Sequence, residues 1–93
     1  MNFADHNDFD AYARGRGWRY DNSGMHLGQF WDWYFKQGSD GKLVLLRQKP
    51  DRAALVRVEG KTLHEVWSGQ IAGPAQFDDF MKVFATAAAV DAR

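Results

Sequence analysis

The chain has 93 residues, of which 45% are hydrophobic and 26% are charged, and these proportions are those of an ordinary globular domain. They exclude a disordered tail, a collagen-like repeat and a disulfide scaffold. Because 93 residues leave no room for a second core, we predict a single domain over residues 1–93. Twelve basic residues balance twelve acidic ones, whereas a dedicated duplex-binding domain usually carries a positive excess.

The chain contains no cysteine, which excludes thiol catalysis, disulfide bonds and thiolate zinc sites. Residues 1–8 are acidic and polar and lack the basic and apolar regions of a signal peptide. The longest apolar stretch, residues 83–90, is far shorter than the ~20 residues that span a bilayer. We therefore expect no membrane segment and a cytoplasmic location.

Residues 5–14 are predicted to form a short N-terminal helix. Asp5 or Asn7 can cap it, because the side-chain oxygen of either residue accepts a hydrogen bond from an unpaired backbone N–H group. Gly15 and Gly17 then end the helix.

Turn-forming residues divide the middle of the chain at residues 21–24, 38–41, 49–52 and 59–61. The candidate strands between these breaks are residues 18–20, 25–36, 42–48, 54–59 and 62–70. Connections this short produce hairpins, and hairpins produce an antiparallel meander.

Residues 74–90 are predicted to form a longer C-terminal helix that begins at Pro74. Its apolar stripe at spacings of three and four consists of Phe77, Phe80, Met81, Phe84, Ala87 and Ala88. The whole pattern predicts an α+β fold, in which an antiparallel meander of four or five strands packs against a short N-terminal and a longer C-terminal helix.

Side chains alternate between the two faces of a strand. One set in the three central strands is purely apolar and consists of Trp31, Trp33, Phe35, Val44, Leu46, Val56 and Val58. We expect this set to share one face, covered by the C-terminal helix, because a slip of one residue would expose all of it. The other set forms a mixed face and consists of Phe30, Asp32, Tyr34, Lys36, Leu43, Leu45, Arg47, Lys49, Leu55, Arg57 and Glu59. The last strand fits neither set, and Gly69 is a candidate for a bulge in it.

Three explanations of the mixed face are open. The N-terminal helix covers its apolar part, or a protein partner docks on it, or it forms a ligand groove. We predict a small interaction module of the inhibitor, immunity or regulatory kind, which binds another protein or a second copy of itself. The predicted contact residues are Asp32, Tyr34, Arg47, Arg57 and Glu59. Charge reversal at Arg47 or Arg57 is then expected to weaken binding while leaving thermal stability nearly unchanged.

The alternative function is binding of single-stranded nucleic acid by a segment in which arginines alternate with aromatic residues. Arginine pairs with phosphate, and aromatic rings stack on unpaired bases. The residues concerned are Arg14, Arg16, Trp18, Arg19 and Tyr20. A structural explanation competes with it, in which the segment is a helix end followed by a strand that places Trp18 in the core.

Motifs for catalysis and cofactor binding are missing from the sequence. There is no Gly-x-Ser-x-Gly elbow and no phosphate-binding glycine loop, and the histidines (His6, His26 and His64) lack metal-ligand spacing. We therefore expect no enzyme activity, no cofactor and no metal. An acid–base enzyme would instead require His26 or His64 in a buried cleft.

Overall fold

The computed structural model describes residues 2–48 and 51–91. The elements in chain order are α1 (His6–Gly15), β1 (Trp18–His26), β2 (Gln29–Lys36), β3 (Leu43–Gln48), β4 (Arg52–Glu59), β5 (Thr62–Gln70) and α2 (Pro74–Asp91). The five strands form one antiparallel sheet in sequence order. The predicted α+β meander with two terminal helices is confirmed. Of the break predicted at 49–52, Lys49 and Pro50 lie outside the described residues.

Both helices begin where the sequence predicts. Asp5 is the N-cap of α1, and its side chain accepts a hydrogen bond from the Asp8 N–H at 3.0 Å. Pro74 occupies the first position of α2, where the missing N–H has no helical partner to lose. The predicted stripe of α2 faces the core, with Phe77, Phe80 and Ala87 buried and Met81, Phe84 and Ala88 packed at the margin.

Both helices pack on the same face of the sheet, which we call the helix-covered face. Its core joins α1 and α2 to members of the mixed set, namely Tyr34, Leu43, Leu45 and Leu55. The prediction that α2 covers the purely apolar set is therefore wrong. That set lies in a separate cluster, to which no described side chain of α1 or α2 contributes.

Trp18 on β1 is one reason why the helices pack on the mixed face. This indole is fully buried on the helix-covered face, with its ring centroid 5.7 Å from Phe80 and 5.0 Å from Phe84. Aromatic side chains dominate the burial energy of a small core by their area. The edge strand β1 therefore adds a large apolar side chain to the mixed face, which the three central strands alone do not reveal.

A bulge in β5 brings a second indole to the helix-covered face. The register shifts so that Trp67 pairs with Leu55 while Glu65 pairs with the next residue of β4, which leaves Val66 as the extra residue. The ring of Trp67 thereby lies near α2, with 5.4 Å between its centroid and that of Phe80. Gly69 makes room for it, since a Cβ there would lie 2.8 Å from a ring carbon of Trp67.

The first hairpin turns later than the sequence predicts. β1 continues through the expected turn at 21–24, with a bulge at Asp21, and ends at His26. The chain reverses at Leu27 and Gly28, whose φ angles of 53° and 76° match a two-residue hairpin turn. Leucine is unusual at such a position, because a side chain with a Cβ is strained at positive φ.

Leu27→Asn is expected to raise the free energy of unfolding by roughly 0.5–1 kcal/mol, since asparagine tolerates positive φ better than leucine does. Leu27 is 79% exposed, so its replacement sacrifices little packing. Urea unfolding measures the change. Met25→Asn, at an exposed position without positive φ, serves as the control and should bring no gain. Equal or lower stability of Leu27→Asn would contradict the strain.

Candidate interaction surface

The face of the sheet opposite the helices is apolar, and we call it the uncovered face. Its residues are the buried Trp31, Val44, Leu46, Ala54 and Val56 and the partly buried Trp33, Phe35, Val58 and Leu63. An antiparallel sheet with one face on a core commonly presents polar side chains on its other face. An apolar second face is instead typical of a sheet that packs against another layer.

Two cross-strand rows describe the layout of the uncovered face from β1 to β5. The first row is Arg19, Phe35, Val44, Val56 and Glu65. The second row is Asn22, Trp33, Leu46, Ala54 and Ser68. Each row is apolar in the middle and polar at both ends. The β3 and β4 residues of the rows are buried within the chain, so the apolar surface still accessible in the middle of the rows belongs to Trp33 and Phe35. An apolar centre inside a polar rim is the usual anatomy of a protein–protein interface.

The tryptophans of the uncovered face are held by hydrogen bonds to the backbone of β1. The indole N–H of Trp31 donates to the carbonyl of His26 at 3.0 Å, and that of Trp33 donates to the carbonyl of Gly24 at 3.4 Å. The guanidinium of Arg52 lies 5.2 Å from the centre of the Trp31 ring, within the range of a cation–π contact. The rings are therefore fixed, and their polar atoms are satisfied before any partner binds.

Three of the five predicted contact residues lie together beneath α1. Tyr34 is fully buried, and Arg47 is only 3% exposed. The guanidinium of Arg47 lies 4.4 Å over the ring of Phe9, and its Nη1 is 2.7 Å from Nδ1 of His6. Asp32 completes the group, with Oδ2 3.7 Å from the same Nδ1. In this arrangement Tyr34 and Arg47 fasten the sheet to α1.

Electrostatics within this group follow from burial. Burial lowers the pKa of Arg47, while the neighbouring Tyr34, Asp32 and Asp51 act in the opposite direction. Beside Arg47 lies a cleft of about 510 Å³, lined by Asn2, Phe3, Ala4, Asp5, His6, Arg47, Asp51 and Ala72. This cleft resembles the ligand groove that was one of the three explanations of the mixed face. Within the described ranges, no three His, Asp or Glu side chains are grouped to hold a metal ion.

The two remaining predicted contact residues lie at the opposite end of β4. Arg57 pairs across the strands with His64, whose Nε2 is 3.3 Å from Oε2 of Glu59. Arg57 and Glu59 also line a separate cleft of about 380 Å³. The structure thus divides the five residues into two groups and does not bring them into one surface. The contact roles of Asp32, Arg57 and Glu59 stay predictions.

The arginines of the proposed nucleic-acid segment do not form one track. Nε of Arg14 is 3.0 Å from a carboxylate oxygen of Asp10, and Nε of Arg16 is 3.4 Å from one of Asp78. Both therefore lie in ion pairs on the helical side of the molecule. Arg19 is in the row of the uncovered face, where its Nη2 donates to Gln37 at 3.4 Å.

The aromatic residues of that segment are also separated. Trp18 is fully buried, and its indole N–H donates to the sulfur of Met81. It is therefore unavailable to stack on a base, and the structural explanation of this residue is the correct one. Tyr20 is exposed, with its ring 5.7 Å from that of Tyr34 and its hydroxyl 2.7 Å from the Ser23 hydroxyl.

The histidines considered for acid–base chemistry lie apart from one another. His64 is an exposed residue of β5, beside Glu59. His26 lies at the end of β1, 6.4 Å from Trp31 between ring centroids, and its Nε2 is buried with no hydrogen-bond partner among the described residues. Neither histidine is paired with a nucleophile in a contact that the structure shows.

The buried Tyr34 is expected to make the free energy of unfolding fall in alkaline solution. Burial raises the pKa of Tyr34, and the charges of Asp10 and Asp32 act in the same direction. An unfolded chain loses the tyrosine proton near pH 10, whereas the folded chain retains it. The free energy of unfolding should therefore fall above about pH 10 by up to ~1.4 kcal/mol per pH unit, and should be unaffected by this group at lower pH.

Urea unfolding at a series of pH values tests this expectation. Tyr34→Phe should reduce the alkaline slope, because it removes one group whose pKa differs between the folded and unfolded states; Tyr12, whose pKa is also raised, remains in this variant. Tyr20→Phe removes an exposed hydroxyl and serves as the matched control. An alkaline slope that is identical in the wild type and in Tyr34→Phe would show that Tyr34 is not responsible.

No helix within residues 2–48 and 51–91 combines the length and the apolar character needed to cross a bilayer. Comparisons with protein-family models, with curated proteins and with solved structures find no match to this chain. The functional assignment therefore rests on the surface that the fold itself presents.

Proposed function

We propose that this protein is a small interaction module that binds a protein partner through the uncovered face. The observation that carries the proposal is the apolar cluster containing Trp33, Phe35 and Val58, which lies on the side of the sheet away from α1 and α2. Aromatic residues are enriched at the centres of protein interfaces, and tryptophan is prominent among the residues that dominate binding energy. The uncovered face replaces the mixed face as the proposed contact surface.

The fixed geometry of the tryptophans supports binding without large rearrangement. The indoles of Trp31 and Trp33 already donate to the backbone of β1. A partner therefore orders few additional rotatable bonds, and the entropic cost of association is reduced. A preformed surface of this kind suits an inhibitor, an immunity factor or a regulatory subunit. We propose that it acts in the cytoplasm, since a cysteine-free chain suits a reducing compartment.

Site-specific photo-crosslinking in cells of the native host tests the proposal. A photoreactive phenylalanine analogue replaces Trp33 on the uncovered face or Thr86 on the exposed side of α2. We expect polypeptide adducts from position 33 and none from position 86. Adducts formed equally from both positions, or adducts that contain nucleic acid instead of protein, would contradict the proposal.

A charge introduced at the proposed contact should prevent crosslinking in the same experiment. Val58→Lys places a charge on the partly buried margin of the uncovered face and should strongly reduce the yield of adducts from position 33. Thr86→Lys adds the same charge on α2 and should leave that yield unchanged. Circular dichroism establishes that both variants are folded. Equal yields from the two variants would count against a contact at this face.

A further inference from the structure

The uncovered face is complementary to a reversed copy of itself. In the first row Arg19 lies at the β1 edge and Glu65 at the β5 edge, so opposite charges occupy opposite ends. In the second row the bulky Trp33 and the small Ala54 lie on either side of Leu46. A surface whose two halves match in charge and in size can pair with a second copy about a twofold axis.

An axis parallel to β3 brings these matching halves together. It places β1 of one copy over β5 of the other, β2 over β4, and β3 over itself. Arg19 then lies opposite Glu65 of the second copy, and the twofold axis generates the same pair again. An axis perpendicular to the strands would place β1 over β1 and separate Arg19 from Glu65. The charges therefore select the axis along β3.

The apolar residues fit the same arrangement. Trp33, which is partly buried, lies over the small Ala54 of the second copy, which is buried within its own sheet. Leu46 is buried in each copy and lies beneath the axis without reaching its equivalent. Face-to-face sheets pack roughly 10 Å apart with interdigitated side chains. Large residues set against small ones fill that space without voids or overlap.

We propose that the partner at the uncovered face is a second copy of this chain, in a twofold dimer with β3 along the axis. This proposal rests on the proposed function, because both use the same face. Val44, Leu46 and Val56 are already buried within one copy, so dimerisation removes from water mainly the exposed parts of the residues around them. The dimer is accordingly expected to dissociate in the micromolar range.

Sedimentation equilibrium over a range of protein concentrations tests the dimer and its register together. Arg19→Glu and Glu65→Arg each replace two attractive contacts per dimer with two repulsive ones. Each variant should raise the dimer dissociation constant by about tenfold. The double variant Arg19→Glu/Glu65→Arg restores opposite charges across the interface and should return the constant to within about threefold of the wild type.

The controls separate charge effects from loss of the fold. Lys82→Glu reverses a charge on the exposed surface of α2 and should not change the dissociation constant. Thermal melting of each variant at low concentration verifies folding, since substitutions at exposed positions usually leave stability nearly unchanged. Failure of the double variant to recover, or insensitivity of the dimer to both single variants, would overturn the proposed register.

A wild-type chain that stays monomeric at all concentrations would overturn the dimer. If position 33 of such a chain crosslinks to a different protein, the homodimer is wrong and the proposed function stands. If a monomeric chain gives no crosslink specific to position 33, both proposals fail.

Discussion

Replacing Arg47 with glutamate is expected to lower the free energy of unfolding by about 3–5 kcal/mol, a large part of the 5–15 kcal/mol typical of a domain. The guanidinium is buried between the sheet and α1, where it lies 4.4 Å over Phe9 and 2.7 Å from His6. A glutamate would place a carboxylate near Asp32 without its counter-charge. Urea unfolding measures the loss. This expected loss replaces the sequence-based prediction that charge reversal at Arg47 leaves stability nearly unchanged.

Two companion variants show whether burial of the charge is the cause. Arg47→Met keeps an apolar stem of similar length over Phe9 and should cost less than Arg47→Glu. Lys82→Glu, the exposed charge reversal on α2, should stay within about 0.5 kcal/mol of the wild type. A stability of Arg47→Glu within about 1 kcal/mol of the wild type would contradict the structural role of this residue.

Trp18→Ala is expected to cost about 3–5 kcal/mol, because a buried indole leaves a large cavity when it is truncated. The ring packs against Phe80 and Phe84 of α2, and its N–H donates to the sulfur of Met81. The variant should therefore loosen α2 from the sheet. Urea unfolding gives the loss, and hydrogen exchange of the amides of α2 locates it.

Tyr20→Ala provides the matched control, since Tyr20 lies in the same segment and is exposed. It should cost about 1 kcal/mol or less. Gel retardation of single-stranded oligonucleotides by both variants adds a functional readout. A Trp18→Ala protein that has wild-type stability and has lost oligonucleotide binding would contradict the core role and support the nucleic-acid hypothesis.

The order of the elements could be predicted because its signals are local. Asp5 caps α1, Pro74 starts α2, and the stripe containing Phe77 and Phe80 repeats at helical spacing within a few residues of sequence. Such patterns do not depend on how distant strands pair. They are therefore sufficient to predict the fold class and, to within one residue, the bounds of both helices, although Gly15 is the last residue of α1 and not the residue that stops it.

The face chosen by the helices could not be predicted, because two edge strands decide it. Trp18 and Trp67 both join the helix-covered face, and Trp67 does so only because Val66 forms a bulge in β5. A bulge reverses the alternation of every residue beyond it. The central strands alone gave both faces enough apolar residues to hold a helix.

The position of the first hairpin turn could not be predicted either, because it also depends on a bulge in an edge strand. The polar cluster at 21–24 favours a turn, yet these residues lie in β1, at the edge of the sheet, and absorb a bulge at Asp21. The turn instead forms at Leu27, a residue that local preference disfavours there. The register of β1 on β2 depends on this late turn and on the bulge. The sequence therefore could not predict that Arg19 pairs with Phe35, nor which residues form the rim of the uncovered face.

Thiol labelling tests most directly whether the sheet has one covered and one uncovered face. The chain has no cysteine, so a single introduced thiol is the only one present. Leu55 and Val58 lie on the same strand, β4, but on opposite faces of the sheet. Their cysteine variants are compared in native buffer at nanomolar concentration, where the proposed dimer is dissociated.

The Val58→Cys protein is predicted to react with a thiol reagent on the order of 100-fold faster than the Leu55→Cys protein, whose reaction must await opening of the core. Rapid labelling of Leu55→Cys with protection of Val58→Cys would place the helices on the other side of the sheet and contradict the uncovered face.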